Sequence, residues 1–105
     1  MANEVVIFIT TGSKEEAQTI ARILVDEKLI ACANITAAVQ SIFRWQGKVC
    51  DEKEALMIVK SVKANVSSIV TRVKEIHSYD VPEIIALPII DGSEDYLRWL
   101  RNECA

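Results

Sequence analysis

Between Ala31 and Val62 the chain reads as one very long β-hairpin, and that length constrains the fold more than any other feature. Ala33, Ile35, Ala37, Val39, Phe43 and Trp45 alternate with Asn34, Thr36, Gln40 and Arg44, the period-two pattern of a half-buried strand. Gln46-Gly47 supplies a tight turn, and the returning strand runs to about Val62 through Ala55-Leu56-Met57-Ile58-Val59, which is apolar on both faces. The outgoing arm alone would span about 50 Å at about 3.3 Å per residue, whereas a compact chain of this size is about 33 Å across. Either a bulge breaks the strand or the tip projects beyond the domain, and projection is favoured. A projecting tip that carries Phe43 and Trp45 offers an open edge and apolar surface to another subunit. A homo-oligomer is therefore expected.

The flanking segments complete a recognisable order. Glu4 to Thr10 is a near-continuous β-branched run, read as a central strand covered on both faces, and Thr11-Gly12-Ser13 bounds it. Ser13 stands three residues before Glu16, a capping-box spacing, and Ala17, Ile20, Ala21 and Leu24 follow at helical period toward an end near Lys28. A second helix is carried by Val66, Ile69, Val70, Val73 and Ile76, between Asn65 and His77. His77 to Glu83 is a polar loop, and Ile84 to Ile90 is a fourth strand ended by Asp91-Gly92. Pro88 lacks a backbone donor, so this strand belongs at an edge or is kinked there. Ser93 is expected to cap a last helix, with Glu94 and Asp95 in its first turn, Arg98 and Arg101 later, and Tyr96, Leu97 and Leu100 packing it down. The order β-α-β-β-α-β plus a terminal helix is the α+β, ferredoxin-like arrangement, one domain over residues 1–105, with an antiparallel sheet and two helices on one face. Its first strand is interior, its fourth is at an edge, and its other face is bare in one subunit.

Composition closes several doors. Half of the residues are hydrophobic and 26% are charged, which excludes a disordered segment. No apolar run approaches the roughly 18 residues of a membrane helix, and Met1-Ala2-Asn3-Glu4 shows no signal-peptide pattern. Twelve basic against fifteen acidic residues give a net charge of -3, and no base-stacking motif is present, so no nucleic-acid partner is expected. Cys32, Cys50 and Cys104 are odd in number and widely spaced, which reads as reduced thiols in a cytoplasmic protein.

Chemistry is sparse. His77, the only histidine, reads either as a helix C-terminal cap or as a metal ligand or proton-transfer group, with Tyr79, Asp80 and Glu83 in the same loop. No Cys-x-x-Cys, second nearby histidine or EF-hand pattern accompanies it, so a tight metal site would have to be assembled from distant segments or several subunits. Cys32 reads as a small buried hydrophobe or as a ligand. Lys60 interrupts an apolar stretch and needs a partner, for which Glu54 and Glu83 are candidates; structural pairing and anion binding at a subunit cleft both remain open. Phe43 and Trp45 suit core or interface packing, or ligand stacking. No phosphate-binding glycine loop and no nucleophile elbow is present, and no catalytic constellation emerges.

Five collinear stretches resemble the CutA divalent-cation-tolerance family: Ala31-Cys32-Ala33-Asn34-Ile35; Ser41-Ile42-Phe43-Arg44-Trp45-Gln46-Gly47; Glu54 with Lys60; His77-Ser78-Tyr79-Asp80-Val81-Pro82-Glu83-Ile84; and Tyr96-Leu97-Arg98-Trp99. The resemblance runs from Val5 to Leu100. It implies a homotrimer similar in architecture to PII signalling proteins, with long hairpins wrapping neighbouring subunits. It implies no enzymatic reaction, and it points to tolerance of copper and other divalent cations. It also implies an intersubunit cleft with Cys32, Trp45, Lys60, Tyr79 and Glu83 toward a ligand and His77 toward a metal ion, copper or zinc, held weakly. A cysteine and a paired histidine of some metal-binding members are Ile9 and Ile76 here, so of that set only His77 is retained. The expected role is that of a trimeric cytoplasmic sensor whose bound ion or small ligand shifts loop or hairpin populations toward an unknown protein partner. Two other readings are an enzyme using His77 with Tyr79 or Glu83 in a subunit cleft, and a purely structural trimeric scaffold.

Overall fold

The β-branched run near the N-terminus forms β1 (Glu4–Thr11), flanked on both sides by antiparallel partners, β3 (Lys48–Val62) and β4 (Ile84–Pro88). With β2 (Cys32–Trp45) paired outside β3, the sheet order is β2-β3-β1-β4. The first strand is thus interior and the fourth lies at an edge, as the ferredoxin-like reading requires. The structure, a computed structural model, describes residues 3–105; Met1 and Ala2, at the start of the stretch read for a signal peptide, lie outside the described residues.

The pleat divides the sheet into two unlike faces. Val5, Ile7 and Ile9 of β1 stand with Ala55, Met57 and Val59 of β3 on the core face. This face is covered by Ala17, Ile20 and Leu24 of α1 (Lys14–Asp26) and by Ile69 and Val73 of α2 (Val66–Ile76). Ile7, Ile9 and Met57 are wholly buried there. On the opposite face Val6, Phe8, Leu56 and Ile58 are only half-buried, and Ile85 and Leu87 of β4 stay 51% and 46% exposed. Among the described residues only α3 (Glu94–Glu103) crosses this side, at one end: the Tyr96 hydroxyl meets Cys32 Sγ at 3.5 Å, and Arg101 pairs with Glu4 at 2.9 Å. The remainder of the face is open in one chain, so the expected two-sided covering of β1 is incomplete.

The hairpin takes both of the options that its length allowed. Thr36 pairs with Leu56 and Val39 with Glu54, so Ala37 and Ala38 together face Ala55 in a bulge, with Ala38 at φ 64°. Beyond it the ladder continues to Trp45 opposite Lys48, closed by Gln46 and Gly47 at φ 50° and 80°. Positive φ at both positions is the two-residue turn that matches strand twist. The molecule measures 44 × 25 × 22 Å, its long axis well beyond the compact estimate. The bulge also corrects the alternation. Ala33 and Ile35 pair with core-face Val59 and Met57, whereas Val39, Phe43 and Trp45 pair with Glu54, Cys50 and Lys48 on the other face. One extra residue inverts every side chain downstream of it.

Three further details differ from the sequence reading. β4 stops at Pro88 rather than Ile90, because proline cannot donate to the ladder; Ile89 N–H still reaches the Glu4 carbonyl at 3.0 Å, but Ile90 is 90% exposed. Ser93 occupies the N-cap of α3 without a side-chain capping bond, so Glu94 and Asp95 provide the complement to the helix dipole. Leu97 and Leu100 seat α3, while Tyr96 is 43% exposed.

Candidate functional site

The chemistry gathers where β1 ends and the loop after α2 returns beside it. Ser13 caps α1 by accepting from Glu16 N–H at 3.1 Å. The Glu16 carboxylate bypasses Ser13 and accepts from Gly12 N–H at 3.4 Å, then from the N–H and hydroxyl of Ser78 at 2.8 and 3.0 Å. Burial would raise its pKa; the two Ser78 bonds, the nearby His77 and the Gly12 N–H outweigh that and hold it below the usual carboxylate range.

His77 is the C-cap of α2, its own N–H bonded to the Val73 carbonyl at 2.8 Å. Its imidazole is fully buried. A carbonyl can only accept, so the 2.8 Å contact with Thr10 O makes Nε2 the donor, and Nδ1 then accepts from Tyr79 N–H at 3.0 Å. Both ring nitrogens are engaged, with Glu16 Oε2 3.7 Å from Nδ1. In this arrangement His77 fixes the backbone of Tyr79. The Tyr79 ring lies 4.8 Å from the imidazole, and its hydroxyl donates to Glu54 Oε2 at 2.8 Å. Burial, then the bond to Glu54, then the charges of Glu54, Glu16 and Glu52 push the phenol up to about 12. Gly12 lets the ring approach: a Cβ there would meet the phenol oxygen at 3.3 Å.

In front of Tyr79, between the loop and the hairpin, opens a groove of about 840 Å³ lined by Phe43, Trp45, Glu54, Tyr79, Asp80 and Glu83, among others. Because of the bulge, Phe43 and Trp45 share a sheet face with Glu54. Of the residues singled out in the sequence, Trp45, Tyr79 and Glu83 therefore meet at one cavity, with His77 directly behind. Cys32 and Lys60 do not join them. They are cross-strand partners at the far end of β3, where Cys32 faces Tyr96 and Lys60 Nζ donates to Asn34 Oδ1. The anticipated pairing of Lys60 with Glu54 or Glu83 is not made: Lys60 lies six positions beyond Glu54 along β3, about 20 Å.

Glu16 was visible in the sequence only as a cap, since its Ser78 partner lies 62 residues away. Cys32, Cys50 and Cys104 are free thiols, each half-buried. Among the described residues no three His, Cys, Asp or Glu side chains are grouped so as to hold a metal ion, and no helix is long and apolar enough to cross a membrane.

The fold has close counterparts among known proteins. Residues 5–103 match the family described as CutA1 divalent ion tolerance protein. The chain is 49% identical over 99 residues to the divalent-cation tolerance protein CutA of Thermus thermophilus, covering 94% of this chain and 96% of that relative. A solved structure of the Cut A1 protein from the same organism superposes with a TM-score of 0.95 at 47% identity, over 97% of this chain and 99% of that one. A chloroplastic CutA of Arabidopsis thaliana is 41% identical over 98 residues, which are 93% of this chain but 54% of that relative. With residues 5–103 matching the family and nearly half of the positions identical to a relative along almost its whole length, the chain belongs to the CutA1 divalent-ion-tolerance family.

Proposed function

We propose that the chain is a binding protein rather than an enzyme, serving divalent-cation tolerance by taking its ligand in the groove between the hairpin and the His77–Glu83 loop. The groove carries this reading: it brings Trp45, Tyr79 and Glu83 to one cavity whose rear wall is pinned by His77 and Glu16. Copper or zinc, held weakly, and a small ligand are its proposed guests. Its proposed assembly is a homotrimer, supported by the projecting hairpin and by the open sheet face bearing Ile85 and Leu87. In such an assembly Cys32 and Lys60 would reach a cleft from a neighbouring copy, since within one chain they lie at the other end of the sheet. Free thiols suit a reducing compartment, and the cytoplasm is the proposed location. Ligand-dependent ordering of the loop or hairpin would then be read by a downstream protein partner.

Proton transfer by His77 with Tyr79 or Glu83 draws little from this geometry. Both imidazole nitrogens are already bonded, and a phenol pushed up to about 12 is a poor acid near neutrality.

Native mass spectrometry of metal-free protein titrated with copper and zinc tests the proposal. The expected result is a trimer that takes up a fixed number of ions per subunit. A monomer, or uptake that climbs without plateau and ignores substitutions at Glu83 and His77, contradicts it. His77→Ala also separates two roles for the imidazole: direct ligation abolishes uptake, whereas support of Tyr79 weakens it.

A further inference from the structure

Two carboxylates among the described residues are buried beyond nine-tenths: Glu4 at 6% exposure and Glu54 at 8%. A carboxylate removed from water needs a cation or several donors to hold its charge. Glu4 has one, Arg101 Nη1 at 2.9 Å. Glu54 has none within ion-pair distance among the described residues. Its single donor is the neutral Tyr79 hydroxyl on Oε2, and no donor of the described residues reaches Oε1. That second oxygen is not sealed off, and Glu54 lines the groove.

The surroundings deepen the imbalance. Within a single chain, Asp80 and Glu83 line the same cavity, where Lys53 is the one basic side chain among the described residues. The local field is felt by Tyr79, whose phenol is raised first by burial and then by Glu54 and its carboxylate neighbours. These carboxylates are spread along the cavity rather than gathered around one point, and about 840 Å³ is large beside the ~30 Å³ of a water molecule. Trp45 and Tyr79 add aromatic surface, which attracts organic cations through the ring faces.

We propose that the groove binds an organic cation, an ammonium or guanidinium on a short carbon chain, with its charge at the open oxygen of Glu54 and its stem against Trp45. This names a ligand class for the binding site proposed above and rests on that reading.

The test is an amide and indole NMR titration of the full chain with butylguanidinium and butylammonium, set beside neutral butyramide, anionic butyrate and zinc. Both organic cations should shift the Trp45 indole and Tyr79 amide saturably, more weakly as salt rises. Glu54→Gln, which keeps the side-chain shape, should weaken binding at least tenfold; Glu83→Gln, at an exposed position, should weaken it severalfold and covers the case in which the Glu54 variant does not fold. Glu15→Gln, outside the groove, should change nothing. Equal binding of butyramide, or indifference to both groove substitutions, overturns cation recognition while leaving a ligand groove. Zinc saturating the groove where neither organic cation does overturns the ligand class and leaves the binding reading standing. If no probe moves Trp45 or Tyr79, zinc included, both proposals fall.

Discussion

Tyr79 links the buried His77 to the hairpin. Its N–H is held by His77, its hydroxyl by Glu54, and its ring passes over Gly12. The protein has two tyrosines, and both phenols are pushed up to about 12: Tyr79 first by burial, Tyr96 first by its hydrogen bond with Cys32 and then by burial. The folded chain thus keeps both phenol protons beyond the ordinary value of 10.0. The stability this contributes is complete below pH 10.0 and is lost as pH rises toward about 12. An alkaline ultraviolet titration should show no tyrosinate near pH 10, and Tyr79→Phe should halve the late transition; early ionisation of either phenol would contradict the two contacts. At this scale the sequence was legible in part. Tyr79, Glu83 and Trp45 stood out through their motifs, and Ser13-x-x-Glu16 as a cap. The bonds from Glu16 to Ser78 and from His77 to the Thr10 carbonyl join segments more than sixty residues apart, and no local pattern encodes them.

Helix and strand boundaries followed local chemistry closely, and the exceptions have specific causes. α1 ends in a six-to-one and five-to-two pair of bonds, Leu29 N–H to Leu24 O and Lys28 N–H to Val25 O, both at 3.0 Å. Lys28 sits between them at φ 60°, where glycine is the usual occupant because it has no Cβ. Lys28→Gly should therefore raise stability by about 0.5–1 kcal/mol in urea denaturation, the relief of left-handed strain less the added freedom of the unfolded chain. A loss of stability would contradict that backbone geometry. In the hairpin the alternation was plain, but the bulge was not. Ala37-Ala38 carries no glycine or proline to mark it, and the inversion it causes moves Phe43 and Trp45 from the core side to the groove side.

The order of elements fixed the topology of the whole molecule, because a central β1 and a proline-bearing edge strand fit one arrangement. What the chain leaves uncovered is the signal of assembly. The tip, with Ile42 and Val49 both 67% exposed, adds nothing to the core cluster. Deleting Ser41 to Glu52 and reclosing the turn should leave a folded core by circular dichroism and a monomer by light scattering. A truncated chain with the same subunit number as the intact one would remove the hairpin from the interface. Cys32 and Lys60 belong to this scale too. Their motif membership was legible, but their distance from Trp45 and Tyr79 depends on strand register, which no single segment reveals.

Whether cations collect in the groove can be seen directly by adding trace copper(II), whose unpaired electron broadens nearby resonances, to uniformly labelled protein and recording amide and indole spectra. If the groove is the site, the Trp45 indole and the amides of Tyr79 to Glu83 broaden first, and Glu54→Gln with Glu83→Gln abolishes the preference. Broadening that leaves the Trp45 indole and the Tyr79 amide untouched, or spreads evenly over the chain, contradicts the assignment of the groove as the binding site.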